Sequence, residues 1–186
     1  MHLGPSILNG KIYGKRNLFS ATSVLDGIRN RILPDQMMNI RETLRNIDFP
    51  ILAIQLLLMV TFGLASLAKW TGGGIPESFI NQFGETWLNA WPGGLFLPFY
   101  TIVVTETAAF LLAAVSLLRG EWLKNREATW LNRSLMLSLF VFVILGYGLR
   151  LTGQFGGAAN AFFYFGTTLL ALWYVDQKKS NRSGHD

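Results

Sequence analysis

Four long apolar runs constrain this chain more than any other feature. Residues 51–68 are 18 positions without a charge, and residues 95–118 are 24 positions with a single one, Glu106. Residues 134–149 follow, 16 positions bounded by Arg133 and Arg150, and then residues 151–175, 25 uncharged positions. A helix needs about 20 mostly apolar residues to cross the hydrocarbon layer. Three runs reach that length. The third is extended by Leu131 and Leu151, and its flanking arginines can snorkel. In the fourth, helix is expected to begin after Gly156-Gly157. Four such helices buried in a soluble protein of 186 residues would leave too little polar surface to cover them. Charged residues are 15% of the chain, against roughly 25% in soluble domains. The expected fold is therefore all-α: an integral membrane four-helix bundle with interfacial amphipathic helices, spanning at about 50–69, 95–118, 131–150 and 158–175.

The net charge of +5 is explained by topology, so nucleic acid is not needed as a partner. Residues 1–49 carry seven Lys and Arg. The turn between the second and third spans is bordered by Arg119, Lys124, Arg126 and Arg133, and the tail at 177–186 holds Lys178, Lys179 and Arg182. These alternate sides contain 14 of the 16 basic residues, while 71–94 contain none. By the positive-inside rule both termini are expected on the cytoplasmic side of a bacterial inner membrane or an equivalent energy-transducing membrane. Residues 1–25 are basic, with no acidic residue. They lack an apolar core and a small-residue cleavage pattern, so no cleaved leader is expected.

Pro34-Asp35 reads as a helix start. Met37, Ile40, Leu44 and Ile47 follow at helical spacing with Arg41 and Arg45 between them, as in an interfacial helix. Val24, Ile28 and Ile32 form a weaker stripe. This arm suits a membrane-surface anchor or a docking site for a partner subunit. Asp48-Phe49-Pro50 ends it and turns the chain into the bilayer. On the other side, Gly72-Gly73-Gly74 breaks the first span and Pro76-Glu77-Ser78 opens another helix. Phe79, Phe83, Trp87 and Trp91 recur every four residues, so one helical face is expected to carry them. That face lies in the outer interface or caps a cavity between the spans. Gly63, Ser66 and Ala68 on the first span, and Ala109 and Ala113 on the second, allow close helix contact.

Glu106 is the most informative residue. A carboxyl in mid-membrane costs about 2.5–3.5 kcal/mol on insertion scales, so it is expected to face the bundle interior, either protonated or paired. The candidate cations are Lys69 and Arg150, both near the outer end. Glu106 lies nine residues beyond Leu97, about 13 Å along a helix, so a direct pair requires the cation to point inward. Tyr147 or water could bridge. Gln154 and several glycines flank Arg150. Catalytic machinery is not evident: there is no HExxH, no Ser/His/Asp set and no pair of carboxylates within the spans. Cysteine is absent and the two histidines are His2 and His185. No metal or cofactor is therefore expected through Cys or His.

The run from Gly63 to Lys69, the loop holding Ile75-Pro76, and a second span reading Ile-Val-Val-Thr-Glu106-Thr-Ala-Ala together resemble the DoxX family of four-helix membrane proteins. The resemblance covers about residues 50–176. Lys69 and Glu106 match positions that recur in the family. The long basic N-terminal arm and the alanines after Glu106 depart from it. The resemblance implies association with membrane redox systems, since members are similar to the small subunits of thiosulfate:quinone oxidoreductase. The first expectation is a non-catalytic accessory subunit of a larger membrane electron-transfer complex, respiratory or photosynthetic, in contact with lipid and with other membrane subunits. The second is a quinone-interacting subunit using Glu106. A small transporter ranks last, because no inverted repeat or broken-helix pair is evident. Quinone, pigment and lipid are the bound molecules left open, with the aromatic residues 162–165 and 173–174 as contacts.

Overall fold

The computed structural model describes residues 44–183, with side chains to 180. The stripe at 24–32 and most of the amphipathic segment at 34–47 lie outside the described residues. The chain divides into units 1–45 and 46–186. Of the first, Leu44 and Arg45 are described, as helix. Everything below concerns the second.

Helix α1 (Phe49–Thr71) is 23 residues long, and the Asp48 carboxylate accepts a hydrogen bond from the Ile51 N–H that opens it. Pro50 sits in its first turn, where a missing N–H is harmless. Gly72 caps the helix, and Gly73 and Gly74 take φ of +73° and +141° to reverse the chain. A short helix α2 (Glu77–Phe83) and a 3₁₀ turn (Trp87–Ala90) follow. Then come α3 (Phe96–Leu118), α4 (Thr129–Leu151) and α5 (Phe155–Ser183). Besides these helices the described residues contain an isolated antiparallel bridge, Ile47 with Leu123. Helices α1, α3, α4 and α5 are long and apolar enough to cross a membrane, and the protein is a multi-pass membrane protein with a four-helix bundle.

Polarity is distributed as lipid requires. Leu57, Leu64, Phe140, Phe162 and Leu170 are exposed, whereas Gln55, Ser66, Glu106, Ser116, Ser134 and Ser138 are buried. Apolar side chains gain nothing by leaving hydrocarbon, while polar groups gain partners inside the bundle. The Ser134 hydroxyl donates across helices to the Ala109 carbonyl at 2.8 Å. Ala109 and Ala113 are buried at the α3 contact, as expected. Gly63 faces the Phe110 ring so closely that an added Cβ would stand 2.9 Å from it. Ala68, by contrast, is exposed. Gly63→Val is expected to cost about 1–3 kcal/mol by overpacking, read as a lowered midpoint on unfolding in mixed micelles.

Two boundaries differ from expectation. Helix α5 begins at Phe155 and includes Gly156 and Gly157. The reversal is made by Gly153, at φ +72°. Gly157 serves packing, because a Cβ there would meet the Leu149 side chain at 3.2 Å. At its far end α5 runs through the basic tail to Ser183, no Pro or Gly intervening after Gly166. Lys178 thereby reaches back to pair with Asp48, joining the end of α5 to the start of α1.

Candidate functional site

Helices α1 and α3 pack together, as do α3 and α4, and α4 and α5; α1 and α5 do not pack side by side. They meet at one end, through Lys178 and Asp48 and through Val175, which joins the same core cluster as Ile51. Between them, toward the other end, lies a cavity of about 800 Å³. Its walls are mostly apolar, with Leu58, Phe62, Ile102, Phe142 and Leu145 among them. Cavities of this size and character suit small-molecule ligands.

The charged groups of this wall form an ion pair. Lys69 Nζ donates to Glu106 Oε2 at 2.7 Å, and both residues line the cavity. Glu106 is 3% exposed, so the mid-membrane carboxyl faces inward and is paired, as its cost demands. Lys69 can reach it because side chains on a helix tilt toward the helix N-terminus. From the last turn of α1 that direction leads down into the bundle. The ammonium also donates to the Ala65 carbonyl one turn back, at 3.5 Å. Beside the pair, the Trp70 indole N–H donates to Thr107 Oγ at 3.0 Å, holding the end of α1 against α3.

Helix α2 closes the cavity at this end. Its Gln82 amide donates to Thr152 Oγ at 3.0 Å, at the end of α4. The Phe79 ring sits edge-on to Phe99 with centroids 5.3 Å apart. Phe83 rests on Gly148, where a Cβ would stand 3.3 Å from the ring. All of Phe79, Gln82 and Phe83 line the cavity. The four-residue aromatic repeat is therefore not one helical face. Gly84 ends α2, and the extended Thr86 separates it from the 3₁₀ turn. Phe79 pairs with Phe83 at 4.5 Å, and Trp87 with Trp91 at 5.7 Å. The first pair caps the cavity, while Trp87 and Trp91 are about half exposed.

The remaining candidates lie apart. The Arg150 guanidinium lies over the Phe155 ring, 4.7 Å from its centroid. Tyr147 is exposed and lines a shallow groove with Arg150, so it does not bridge to Glu106. Gln154 is an exposed turn residue whose N–H donates to the Leu149 carbonyl at 2.9 Å. Of the five polar positions, Lys69 and Glu106 come together; Arg150, Tyr147 and Gln154 do not join them. Among the described residues no group of His, Cys, Asp and Glu could hold a metal ion.

A second buried polar cluster escaped the sequence reading. Glu121, 4% exposed, accepts from the Trp130 and Leu131 N–H groups that open α4, at 2.9 and 3.0 Å. Ser116 donates its hydroxyl to the same carboxylate at 2.6 Å and accepts from the Gln55 amide at 2.6 Å. Among the described residues Gln55 Oε1 finds no partner, although it is buried. The glutamine inside the first apolar run was the available signal. Compared with models of protein families, with curated proteins and with solved structures, the chain gives no match.

Proposed function

We propose that this protein binds a membrane-soluble quinone in the cavity between α1 and α5, as a small subunit of a membrane electron-transfer complex. The observation that carries this reading is the Lys69–Glu106 pair in the wall of a mostly apolar cavity. An ammonium has three N–H bonds. Glu106 and Ala65 engage two of them, and the third is available to a quinone carbonyl oxygen. The aromatic rings of Phe79, Phe83 and Phe99 suit a flat head group, and the opening between α1 and α5 suits an isoprenoid tail leading into lipid. The DoxX-like placement of Lys69 and Glu106 is a second line of support. A chain without cysteine, and with histidine only near its ends, brings no metal-based electron carrier of its own. Electrons then come from a partner subunit, and this chain binds and orients the quinone. The alternation of Lys and Arg supports a cytoplasmic side for both termini, and the electron-transfer reading goes with an energy-transducing membrane.

The test is titration of the detergent-solubilised protein with a short-chain quinone, followed by quenching of tryptophan fluorescence. Saturable quenching is expected, with affinity lowered about tenfold or more in Glu106→Gln, since hydrogen bonds to charged groups contribute about 1.5–3 kcal/mol. Equal affinity in the variant, or unchanged quinone reduction by an intact complex carrying it, overturns the role of Glu106. Purification in mild detergent checks the subunit reading: migration alone at 20.8 kDa defeats it.

A further inference from the structure

Across the cavity from the ion pair, α5 presents the carboxamide of Asn160, an exposed residue that lines the cavity. Among the described residues this carboxamide has no hydrogen-bond partner. The asparagine near the start of α4 behaves differently, for the Asn132 amide donates to Asp176 at 2.6 Å. An unpaired carboxamide is costly to keep out of water, and a polar side chain within a span is a mark of function. Asn160 stands five residues past Phe155, the start of α5, so it belongs to the span and not to the turn before it.

The two helices bring Asn160 to the depth of the ion pair. Asp48 and Lys178 are bonded to each other and so mark one level on α1 and α5. Lys69 lies 21 residues beyond Asp48, and Asn160 lies 18 residues before Lys178. At the rise of an α-helix these are heights of about 32 and about 27 Å above that level. Side chains tilt toward the N-terminus of their own helix, and α1 and α5 run in opposite directions. Lys69 therefore leans inward and Asn160 outward, and the ammonium and the carboxamide converge on one depth from opposite walls. Other polar groups of the wall are engaged or lie deeper. The Gln82 amide donates to Thr152 at 3.0 Å and the Thr167 hydroxyl to the Phe163 carbonyl at 3.2 Å. Thr61 and Thr168 stand eight residues from Lys69 and Asn160, about 12 Å further in. Tyr164 is one turn deeper than Asn160, its ring packed on Phe142 with centroids 5.7 Å apart.

We propose that Asn160 is the second anchor of the ring: its carboxamide donates to the quinone oxygen para to the one held by Lys69, and so selects ligands with two opposed oxygens. This inference rests on the quinone reading of the cavity. A carboxamide suits both forms of such a ligand, because its N–H groups donate to a quinone oxygen and its Oδ1 accepts from a hydroquinone hydroxyl. The test compares a para-naphthoquinone with tetralone, which has the same bicyclic carbon skeleton and a single carbonyl. Tetralone keeps the Lys69 contact and offers nothing to Asn160. The full-length protein in detergent is titrated with the naphthoquinone by tryptophan fluorescence, and tetralone is measured by its displacement of the naphthoquinone. The parent protein is expected to bind the naphthoquinone about fivefold tighter, the size of one neutral hydrogen bond. Asn160→Leu and Asn160→Ala will each lose about that factor for the naphthoquinone and nothing for tetralone. Asn160 gives up no hydrogen bond within the described residues, so both variants are expected to fold. Glu106→Gln will weaken both ligands alike. If the Asn160 variants lose nothing, or lose equally for the two ligands while Glu106→Gln still weakens both, the role of Asn160 is overturned and the quinone reading stands. If the parent protein binds neither ligand saturably, the quinone reading falls and this inference with it.

Discussion

Lys69→Met will destabilise the protein by about 3 kcal/mol, because it strands Glu106 inside the bundle without its cation. Removing one partner of a buried ion pair costs about 3–5 kcal/mol. The lower figure applies because the Lys69 side chain is 27% exposed. Adding Glu106→Gln to Lys69→Met will restore most of that stability, since the stranded charge disappears and the amide can bond to neighbouring backbone. The quinone binding we propose will not return with it. Stability and binding thus separate: the double variant is folded and deficient in ligand. Unfolding in mixed micelles, with the slope against denaturant unchanged, measures the first, and fluorescence titration the second. A single variant as stable as the parent would mean that Lys69 does not hold the Glu106 charge.

Glu121→Ala will cost a similar amount, about 3 kcal/mol, at a place with no part in the cavity. The substitution leaves the Trp130 and Leu131 N–H groups and the Ser116 hydroxyl without their acceptor. Each buried polar group left unpaired costs about 1–3 kcal/mol, and water entering the void offsets part of the sum. The Ser116 hydroxyl has a single hydrogen, and Glu121 receives it, so Gln55 must present its amide to Ser116 and leave Oε1 unpaired. Glu121→Gln, which keeps acceptor oxygens, is expected to lose less than half as much. The contrast between the two variants, read in the same unfolding assay with quinone affinity unchanged, checks that this carboxylate is structural.

The spans were legible because hydrophobic length is a local property. Residues 51–68 and 95–118 announce α1 and α3 without reference to anything else in the chain. The shortest run, at 134–149, lies inside a helix of 23 residues, Thr129–Leu151, that takes in Leu131 and Leu151. The ends were less legible. Gly156-Gly157 looks like a helix breaker, yet glycine also permits close approach, and the Leu149 side chain over Gly157 decided for the second. The aromatic repeat had the period of a helix, but one glycine, Gly84, was enough to stop it and divide the four rings between two tasks.

By itself the sequence determined that this protein lives in lipid as four helices, and that Glu106 needs shelter and a partner. Both follow from transfer free energies, which depend on composition along the chain. It could not choose between Lys69 and Arg150, because both stand near the same end of the bundle and both are long enough to turn inward. Tertiary packing made the choice. The last turn of α1 sets Lys69 on the cavity side, where the helical tilt of its side chain carries the ammonium to Glu106. Arg150, on α4, lies over Phe155 instead. The cavity itself was equally invisible, since it exists only because α1 and α5, far apart in sequence, meet at one end and stay separated at the other.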